Sequence, residues 1–345
     1  MKLLNQLKVI HHRLTHAEYW PFWIFYGPFI PVFLYYGLRN GSIFHFLAVN
    51  PGIKNSGCFN FSKYSVIEQL PQQYLPKGML LSKAERHLFQ PEREGYSYPF
   101  IVKPDRGNRG RGVELVENEE QLQKALQKDY DFIIQEYIDY PLEFGVFYYH
   151  NSKTGEKGIT GITSKDFLQI VGDGKSTFEQ LLRKNPRSKP NLDHFQQKFA
   201  ENWHKIPENG EKIIVEEIGN HSRGTCFLDA SFLQNTAIEE RFFDLASHID
   251  GFYWGRFDVK AATNEDLATG AHLKILEVNG GSSEPSHMFD PGYKWVDMAR
   301  FILQHLKLHY GVVKANIDNG ADVPSFKTFY KEVKQYFSLK EMQIT

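Results

Sequence analysis

The stretch from Gly255 to Ser283 constrains the fold of this chain more than any other. It contains an apolar run with one acid, Asp258, then a polar loop, then a second apolar run with Glu277 and Asn279. Side chains on a strand alternate between the two faces of a sheet, so Glu277 and Asn279 point the same way. If the polar loop turns the chain back, the pattern predicts a hairpin in which Asp258 joins them.

This predicted hairpin places oxygen ligands beside a cation. Arg256 lies two residues before Asp258 and therefore shares its strand face. Mg²⁺ prefers hard oxygen ligands, takes one or two protein carboxylates and fills its remaining positions with water and nucleotide phosphate. The pattern indicates a magnesium and phosphate site in which Asp258, Glu277 and Asn279 are the ligands. A surface hairpin with solvated charges is the alternative that these residues alone leave open.

Composition excludes several classes of protein. The chain has 345 residues, enough for two or three compact units with their own cores. Hydrophobic residues make up 41%, charged residues 23% and the net charge is −1, so neither disorder nor a nucleic-acid partner is expected. The two cysteines, Cys58 and Cys226, form no CxxC pair, which argues against a disulfide framework or a zinc site and fits a cytoplasmic protein.

The segment Tyr19–Leu38 carries no charged residue and follows a short basic lead. It is long enough for one membrane span. However, Pro21, Pro28 and Pro31 would interrupt a helix, and its tryptophans and tyrosines prefer the headgroup boundary. The pattern predicts a broken hairpin or an in-plane membrane anchor, and a buried subdomain or oligomer contact is the alternative. Arg39 follows directly with no small-residue cleavage site, which argues against a signal peptide.

A glycine-rich basic loop follows the short strand that begins at Phe100. The strand ends at Lys103, and the loop carries Gly107, Gly110 and Gly112 among three arginines. Glycines allow backbone amides to close over phosphate oxygens, and the cations compensate the phosphate charge. Alone, the loop is also compatible with a flexible basic turn.

Two acids bracket a bend further along the chain. Glu136 and Glu143 flank a proline, and such a bend can offer backbone groups to an adenine edge while an acid reaches an amine or a ribose hydroxyl. A hairpin over 144–150 and 158–164 follows, with Lys165 at its far end. An ordinary strand-turn-strand with solvated acids is the alternative.

The segment Gly172–Thr177, GDGKST, resembles the end of a P-loop without being one. The P-loop requires a glycine where this chain has Gln169. The pattern instead predicts a turn and a helix that begins with a capping box of Ser176 and Glu179. Near the end of the chain, apolar spacing predicts a helix that starts at 295 and ends near Gly311, and then a last helix.

Taken in order, these motifs resemble the ATP-grasp superfamily over roughly Lys63 to Tyr310. The most specific parts are IVKPDRGNRGRGV, the two acids seven residues apart, GRFDV and LEVNGGSS. GRFDV and the paired acids look like D-alanine–D-alanine ligases. VGDGKST and the N-x-S-x-G loop at Asn220–Gly224 look more like cyanophycin synthetases and related amino-acid ligases.

The resemblance implies an α+β ATP-grasp fold in which two α/β subdomains clasp ATP, behind a truncated, aromatic-rich N-terminal region. It implies the following division: 1–50, basic lead and aromatic segment; 51–98, short connector region; 99–311, ATP-grasp domain with subdomains 99–138 and 139–311; 312–345, helical tail.

The resemblance also implies roles for individual residues. The expected nucleotide contacts are Lys63, Lys103, Gly107, Gly110, Gly112, Glu136, Ile138 and Glu143, with adenine held at Glu136 and the backbone of Ile138, and ribose at Glu143. The expected ligands of one or two Mg²⁺, or of Mn²⁺, are Asp258, Glu277 and Asn279. Arg256 and Lys165 are the expected catalytic cations.

The implied reaction joins a small-molecule carboxylate to an amine through an acyl phosphate, with release of ADP. A phosphotransferase acting on a non-carboxylate acceptor and a non-catalytic nucleotide-binding module at a membrane are the alternatives. The segment after Asn279 departs from the D-alanine ligase pattern, which argues against D-alanine as the substrate. Candidate substrate contacts are Arg223, Ser282, Ser283, Glu284 and His287, with a structural loop as the alternative. The expected location is cytoplasmic, with peripheral membrane association through Tyr19–Leu38.

Overall fold

The computed structural model of the protein describes residues 20, 22–107, 112–216, 219 and 224–342. Within these residues the fold is mixed α/β, and the strands pair antiparallel in a four-stranded sheet, a five-stranded sheet and a two-stranded hairpin. The fold class expected from the sequence is confirmed.

The helices of the described residues are, in chain order, α1 (Phe22–Tyr26), α2 (Ile30–Arg39), α3 (Lys63–Ile67), α4 (Glu119–Leu126), α5 (Phe178–Lys184), α6 (Leu192–Lys198), α7 (Thr236–Ser247), α8 (Asp266–Thr269), α9 (Trp295–Asp318) and α10 (Phe326–Met342). The strands are β1 (Gly78–Leu81), β2 (Phe100–Pro104), β3 (Glu114–Val116), β4 (Phe132–Glu136), β5 (Leu142–His150), β6 (Lys157–Asp166), β7 (Gln169–Val171), β8 (Lys212–Ile214), β9 (Cys226–Asp229), β10 (Trp254–Ala261) and β11 (Leu273–Asn279).

The four-stranded sheet has the order β1-β4-β2-β3 and is covered by α4. Asn118 caps this helix by accepting a hydrogen bond from the backbone of Gln121, as its position ahead of the apolar spacing predicts. Leu122 and Leu126 of α4 pack against Phe132 in the core beneath. Strand β1 lies at one edge of this sheet, although the sequence pattern placed its residues in a connector.

The five-stranded sheet has the order β11-β10-β5-β6-β9 and contains the hairpin predicted from the acid-bearing runs. Asp258 lies opposite Glu277 and Arg256 lies opposite Asn279, so the four side chains belong to alternate register positions on one face of the hairpin. Helix α7 packs beneath this sheet in the largest apolar core of the described residues. This core packs against one face of β10 and β11. The charged side chains of the two strands lie on the opposite face.

A small unit with its own core lies between β6 and β9. Strands β7 and β8 and helices α5 and α6 surround the buried side chains Ile170, Phe178, Leu182, Phe195 and Trp203. The predicted turn and helix start are present, but the predicted capping box is wrong by one residue. Thr177 and Gln180 form it, because Asp173 binds both the backbone and the hydroxyl of Ser176.

The aromatic N-terminal segment is broken where its prolines lie. The 3-10 turn Gly27–Phe29 separates helices α1 and α2. Pro28 lies in the first turn of this 3-10 segment, and Pro31 lies in the first turn of α2. Phe25 and Phe29 point inward and pack on the start of α9. None of the helices in the described ranges has the length and apolar character needed to cross a bilayer.

Helix α9 is longer than the sequence predicts. It passes through Gly311 and ends at Asp318 rather than near the glycine. A glycine inside a helix costs about 1 kcal/mol. Here Val312 and Val313 are buried, and the amide of Asn316 donates to the carbonyls of Ala48 and Val49. The prediction was wrong because these tertiary contacts outweigh the local preference of glycine.

Three buried histidines lie where α9 packs against the five-stranded sheet. The ring of His305 lies edge-on to Phe147 and Trp254, and His309 lies 6.1 Å from His45, measured between ring centroids. Neither ring nitrogen of His305 has a hydrogen-bond partner. Burial lowers the pKa of His45 to about 4, and that of His305 and His309 to about 3, from an ordinary value of 6.5.

Replacement of His305 is expected to stabilise the protein at acid pH. The unfolded chain binds protons at these histidines near pH 6.5 and the folded chain does not until about pH 3 to 4, so stability falls as pH falls through this window. His305→Leu removes one such group and two unsatisfied nitrogens, which cost roughly 1–3 kcal/mol each when buried. We expect a higher free energy of unfolding, and a shallower decline in it when the pH is lowered from about 7 to about 5.

Denaturant unfolding at several pH values measures this effect. His204→Leu is the matched control, because the His204 side chain is 81% exposed. An unchanged pH dependence in His305→Leu would contradict the prediction.

Candidate active site

Lys103 joins the two large sheets. It lies on β2, and its Nζ donates to Oε1 of Gln135 on β4 and to the carbonyl of Leu276 on β11, both at 2.9 Å. Its side chain is buried. The two sheets therefore meet at a common cleft whose walls are β2 and β4 on one side and β11 with its neighbour β10 on the other.

Asp258 on β10 is held by three donors. Its carboxylate accepts from Nε of Arg256 at 2.7 Å, from Nη2 of the same guanidinium at 3.1 Å and from the amide of Asn279 at 3.1 Å. Burial works against the charged carboxylate, but Arg256 and Lys165 outweigh it and lower the pKa of Asp258 to about 2. The carboxylate is therefore charged at neutral pH, as a metal site requires.

Lys165 and Glu143 form a buried ion pair next to Asp258. Nζ of Lys165 lies 2.7 Å from Oε1 of Glu143 and 3.5 Å from Oδ2 of Asp258. Burial opposes the ammonium, yet the two carboxylates raise the pKa of Lys165 above its ordinary value. Gly219 lies so close that a Cβ there would come within 2.5 Å of the Glu143 carboxylate. The predicted contact of Glu143 with ribose stays a prediction.

Lys63 forms the corresponding pair with Glu277. Its Nζ lies 2.7 Å from Oε1 of Glu277, although the two residues are on different elements, α3 and β11. Asp105 positions the start of α3, since its carboxylate accepts from the Ser62 hydroxyl at 2.8 Å and from the backbone of Tyr64 at 3.0 Å. Burial raises the pKa of Glu277, but Lys63 and Lys103 together lower it overall. The sequence around Lys63 is ordinary, and only the fold brings it to the cleft.

These side chains form one group, which we call the charged cluster. Its members are Lys63, Lys103, Lys165, Arg256, Glu143, Asp258 and Glu277.

The charged cluster has one more cation than carboxylates. In it, Lys103 is the cation whose hydrogen-bond acceptors are both uncharged oxygens. Within the described ranges no carboxylate lies within 4.0 Å of its Nζ, whose acceptors are an amide oxygen and a backbone carbonyl. Burial lowers the pKa of Lys103 to about 8, with Glu277 opposing the effect and Lys63 adding to it. A buried cation of this kind is stabilised when an anion binds beside it.

The donor set fits a hard cation completed by phosphate. Asp258 and Glu277 are directly opposite in register and both are charged at neutral pH, and Asn279 adds an amide oxygen two residues along β11 from Glu277. Mg²⁺ usually binds through one or two protein carboxylates and keeps its other positions for water and substrate phosphates. Among the described residues no group of three or more His, Cys, Asp or Glu side chains could hold a metal by itself. The metal role of this set stays a prediction.

The bend predicted to hold adenine has a polar edge and an apolar interior. Glu136 is exposed, and its Oε2 accepts from the backbone of Lys77 at 3.1 Å, while Ile138 is buried. Lys260, which the sequence reading missed, lies beside this bend. Its Nζ donates to the carbonyl of Tyr140 at 3.3 Å and lies 5.4 Å from the ring centroid of Tyr137. The alternation of β10 places Lys260 on the face of Asp258 and is the signal that could have identified it.

Parts of two predicted loops lie outside the described residues. Gly110 and Arg223 belong to residues 108–111 and 220–223, whose structure is not described. Gly107 and Gly112 border the first of these gaps. Gly112 adopts a φ of +70°, and a Cβ there would lie 2.8 Å from the ring of Pro104, so this position requires glycine.

The segment after Asn279 is anchored before it can reach a substrate. A Cβ on Gly280 would lie 2.6 Å from the carbonyl of Ser56, and one on Gly281 would lie 2.9 Å from Sγ of Cys58. The hydroxyl of Ser282 donates to the carbonyl of Cys58 at 3.2 Å, and that of Ser283 donates to the carbonyl of Gly280 at 2.6 Å. These contacts favour a structural role for both serines.

Further along the chain, this segment contacts Arg256 of the charged cluster. Nη1 of Arg256 donates to the carbonyl of Glu284 at 3.1 Å and to the hydroxyl of Ser286 at 2.7 Å. Ser286 was missed by the sequence reading, which had no local pattern to distinguish it from its neighbours. His287 is buried, with the ring against Gly161 and Nδ1 lacking a hydrogen-bond partner. Ser286 therefore contacts Arg256 through its side chain, and His287 next to it is packed in the interior.

The proteins of known structure that this chain resembles are ATP-grasp enzymes, the superfamily indicated by its motifs. A model of the tubulin-tyrosine ligase family matches residues 52–146, which is less than half of the chain. None of the curated proteins matches this sequence.

Three solved structures illustrate the resemblance. The bifunctional glutathione synthetase from Pasteurella multocida is 16% identical with a TM-score of 0.40, over 74% of this chain and 38% of that one. The VanG D-Ala:D-Ser ligase from Enterococcus faecalis is 14% identical with a TM-score of 0.41, over 74% and 64%. The D-alanine–D-alanine ligase from Bacillus anthracis is 13% identical with a TM-score of 0.41, over 78% and 72%. The chain thus spans less than two thirds of the first two proteins, and likeness of this degree carries no argument about substrate.

Replacement of Lys103 is expected to weaken nucleotide binding with little effect on stability. Lys103→Met removes two hydrogen bonds but also a buried charge whose two acceptors are neutral, and these effects offset each other. Loss of a buried charge contact to phosphate costs about 2–5 kcal/mol, so we expect the affinity for Mg-ATP to fall by at least about tenfold.

Calorimetric titration with Mg-ATP, together with thermal unfolding, measures both effects. Lys124→Met is the control, because its side chain is 70% exposed in an ordinary i,i+4 pair with Glu120. Equal affinity of the Lys103→Met variant and the unmodified protein would remove Lys103 from the proposed phosphate site.

Proposed function

We propose that this protein is an ATP-dependent carboxylate–amine ligase that releases ADP and phosphate. The observation that carries the proposal is the charged cluster, a largely buried group in which cations outnumber carboxylates by one, at the junction of two sheets. Cations in such a dry site stabilise the triphosphate of a nucleotide more strongly than they would in water. The ATP-grasp motifs supply the reaction class.

In the first step an oxygen of the substrate carboxylate attacks the γ-phosphorus of ATP. The new oxygen–phosphorus bond gives an acyl phosphate, and the bond to the β-phosphate oxygen breaks to release ADP. Negative charge is spread over the transferring oxygens, so alignment and charge neutralisation account for most of the catalysis. Lys63, Lys103 and Lys165 are the lysines placed to supply it.

In the second step the nitrogen of an amine attacks the acyl carbon. The carbon–nitrogen bond forms, the carbon–oxygen bond to phosphate breaks with its electron pair, and the departing phosphate takes up the proton lost by the amine. Arg256 is oriented by Asp258 on one side and by Ser286 on the other, at 2.7 Å in each case. A guanidinium fixed by two contacts of this kind is suited to bind the acyl phosphate.

Asp258, Glu277 and Asn279 are the residues that would hold Mg²⁺, as one or two ions. When bound, the ion would neutralise charge on the phosphate oxygens. Glu136, Ile138 and the aromatic surroundings of Lys260 are the proposed base side of the nucleotide site. Because ATP is supplied by the cytoplasm, we place the activity there. Contact of Tyr19–Leu38 with a membrane or a second copy stays a prediction.

An acyl phosphate can be trapped, which separates a ligase from a phosphotransferase. The purified protein is incubated with Mg-ATP, hydroxylamine and a panel of amino acids, short peptides and other carboxylates. A ligase gives a hydroxamate in equal amount to ADP with at least one carboxylate, because hydroxylamine replaces the amine in the second step. Release of ADP with a stable phosphoester and no hydroxamate would support the phosphotransferase. A protein that binds Mg-ATP without turnover on any acceptor would support the non-catalytic module.

Arg256→Lys is expected to reduce this turnover by about 10²–10³-fold, the usual effect of removing a preorganised donor from a developing charge. The lysine keeps the charge but loses the paired donors toward Asp258 and Ser286. Arg241→Lys is the matched control, because Arg241 also binds through several donors, to Tyr74 and to two backbone carbonyls, on α7 away from the charged cluster. Equal losses in both variants would assign Arg256 a structural role only.

A further inference from the structure

An exposed apolar surface lies on the helices around the N-terminal segment. We call it the apolar face, and its members are Trp23, Ile24, Ile30, Leu34, Leu38, Trp295, Val296 and Leu303. Leu38 is 77% exposed and Ile24 is 59% exposed. Large apolar side chains of this number, close together on neighbouring helices, mark a surface that binds something else.

Helices α2 and α9, which carry six of the eight members of the apolar face, are packed on each other. Phe29, just before α2, stacks on Trp295 at the start of α9, and Tyr36 of α2 stacks on Tyr310 at a centroid distance of 4.6 Å. The inward residues Phe25 and Phe29 share a core with Met298 and Ile302. The outward residues of both helices are therefore held on one rigid support.

Charge on and beside the apolar face is positive. No charged residue occurs between positions 20 and 38, and Arg39 ends α2. Along the exposed stripe of α9, the basic side chains of Arg300 and Lys307 alternate with Val296 and Leu303. Asp297 is the acid of the first four turns of α9, and it is bound to Arg300 at 3.2 Å. The sequence directly ahead, 1–18, contains Lys2, Lys8 and Arg13 but only one acid, Glu18.

We propose that the apolar face docks in the plane of an anionic lipid bilayer. Apolar and aromatic side chains beside basic ones provide the two attractions that such a surface requires, burial in the acyl boundary and attraction to anionic headgroups. Helices α1 and α2 are short and broken by a 3-10 turn, which suits a position along the surface. A second copy fits less well, because a two-fold contact would bring the basic side chains of both copies into one interface.

The apolar face is connected to the charged cluster through one short segment. Met288 and Phe289 pack in the core shared by Phe25 and Phe29, and two residues earlier Ser286 accepts a hydrogen bond from Arg256. Docking would therefore bring the bilayer next to the segment that follows Asn279. This part of the inference rests on the proposed function, whereas docking itself does not.

Sedimentation of the full chain with vesicles tests docking. The vesicles are phosphatidylcholine alone and phosphatidylcholine with about a third of phosphatidylglycerol, an anionic content that gives a clear surface potential. We expect binding to the anionic vesicles that weakens with added salt, and little binding to the neutral ones. Ile24→Gln/Leu34→Gln/Leu38→Gln is expected to lose binding by at least tenfold.

Two variants serve as controls. Leu88→Gln/Phe232→Gln removes side chains that are 67% and 82% exposed outside the apolar face, and is expected to bind as the unmodified protein does. Arg300→Gln/Lys307→Gln is expected to weaken binding to anionic vesicles severalfold. Thermal unfolding and circular dichroism establish that each variant folds.

Three outcomes would overturn the proposal. They are equal vesicle binding by the folded triple glutamine variant, no vesicle binding by the unmodified protein, and a dimer in light scattering that the triple variant converts to a monomer. Vesicle binding needs no ATP, and the hydroxamate assay needs no lipid. Failure of one therefore leaves the other result intact, and the two proposals can fail separately.

Discussion

The rest of the candidate site depends on the buried ammonium of Lys103. This side chain bridges the sheets by donating to Gln135 on its own side and to the carbonyl of Leu276 on the other. Neither acceptor is charged, so the bridge fixes the position of the lysine without cancelling its charge. The same group thus joins the two sheets and keeps positive potential in the cleft between them.

The carboxylates Asp258 and Glu277 are each paired with cations of the charged cluster. Asp258 is compensated by Arg256 and Lys165, and Glu277 is compensated by Lys63 on a helix from a distant part of the chain. Each carboxylate remains ionised because its cation outweighs the cost of burial. The arrangement keeps ionised carboxylates in a largely buried site, a state that isolated carboxylates would not maintain. A nucleotide bound there would compete for cations that the protein already uses to stabilise itself.

Local patterns were sufficient for some of this site. The hairpin of β10 and β11 followed from alternation along two short apolar runs, and Arg256 and Asp258 share a face for the same reason. Contacts between segments that are distant in the sequence could not be predicted from local patterns. The role of Ser286 depends on how the segment after Asn279 folds back, and α9 continues through Gly311 because Asn316 binds the carbonyls of Ala48 and Val49. These contacts have no local sequence pattern.

The close packing of Gly280 and Gly281 limits how the segment after Asn279 can vary in sequence. Their backbones touch the turn at Ser56 and the thiol of Cys58, so neither position can carry a side chain without displacing its neighbours. In the proposed ligase, recognition of the acceptor would then fall to the residues that follow, where the carbonyl of Glu284 and the hydroxyl of Ser286 contact Arg256. Changes in specificity would then be confined to the short stretch after Gly281. Gly280 and Gly281 themselves would stay glycine, because there is no space for a side chain at either position.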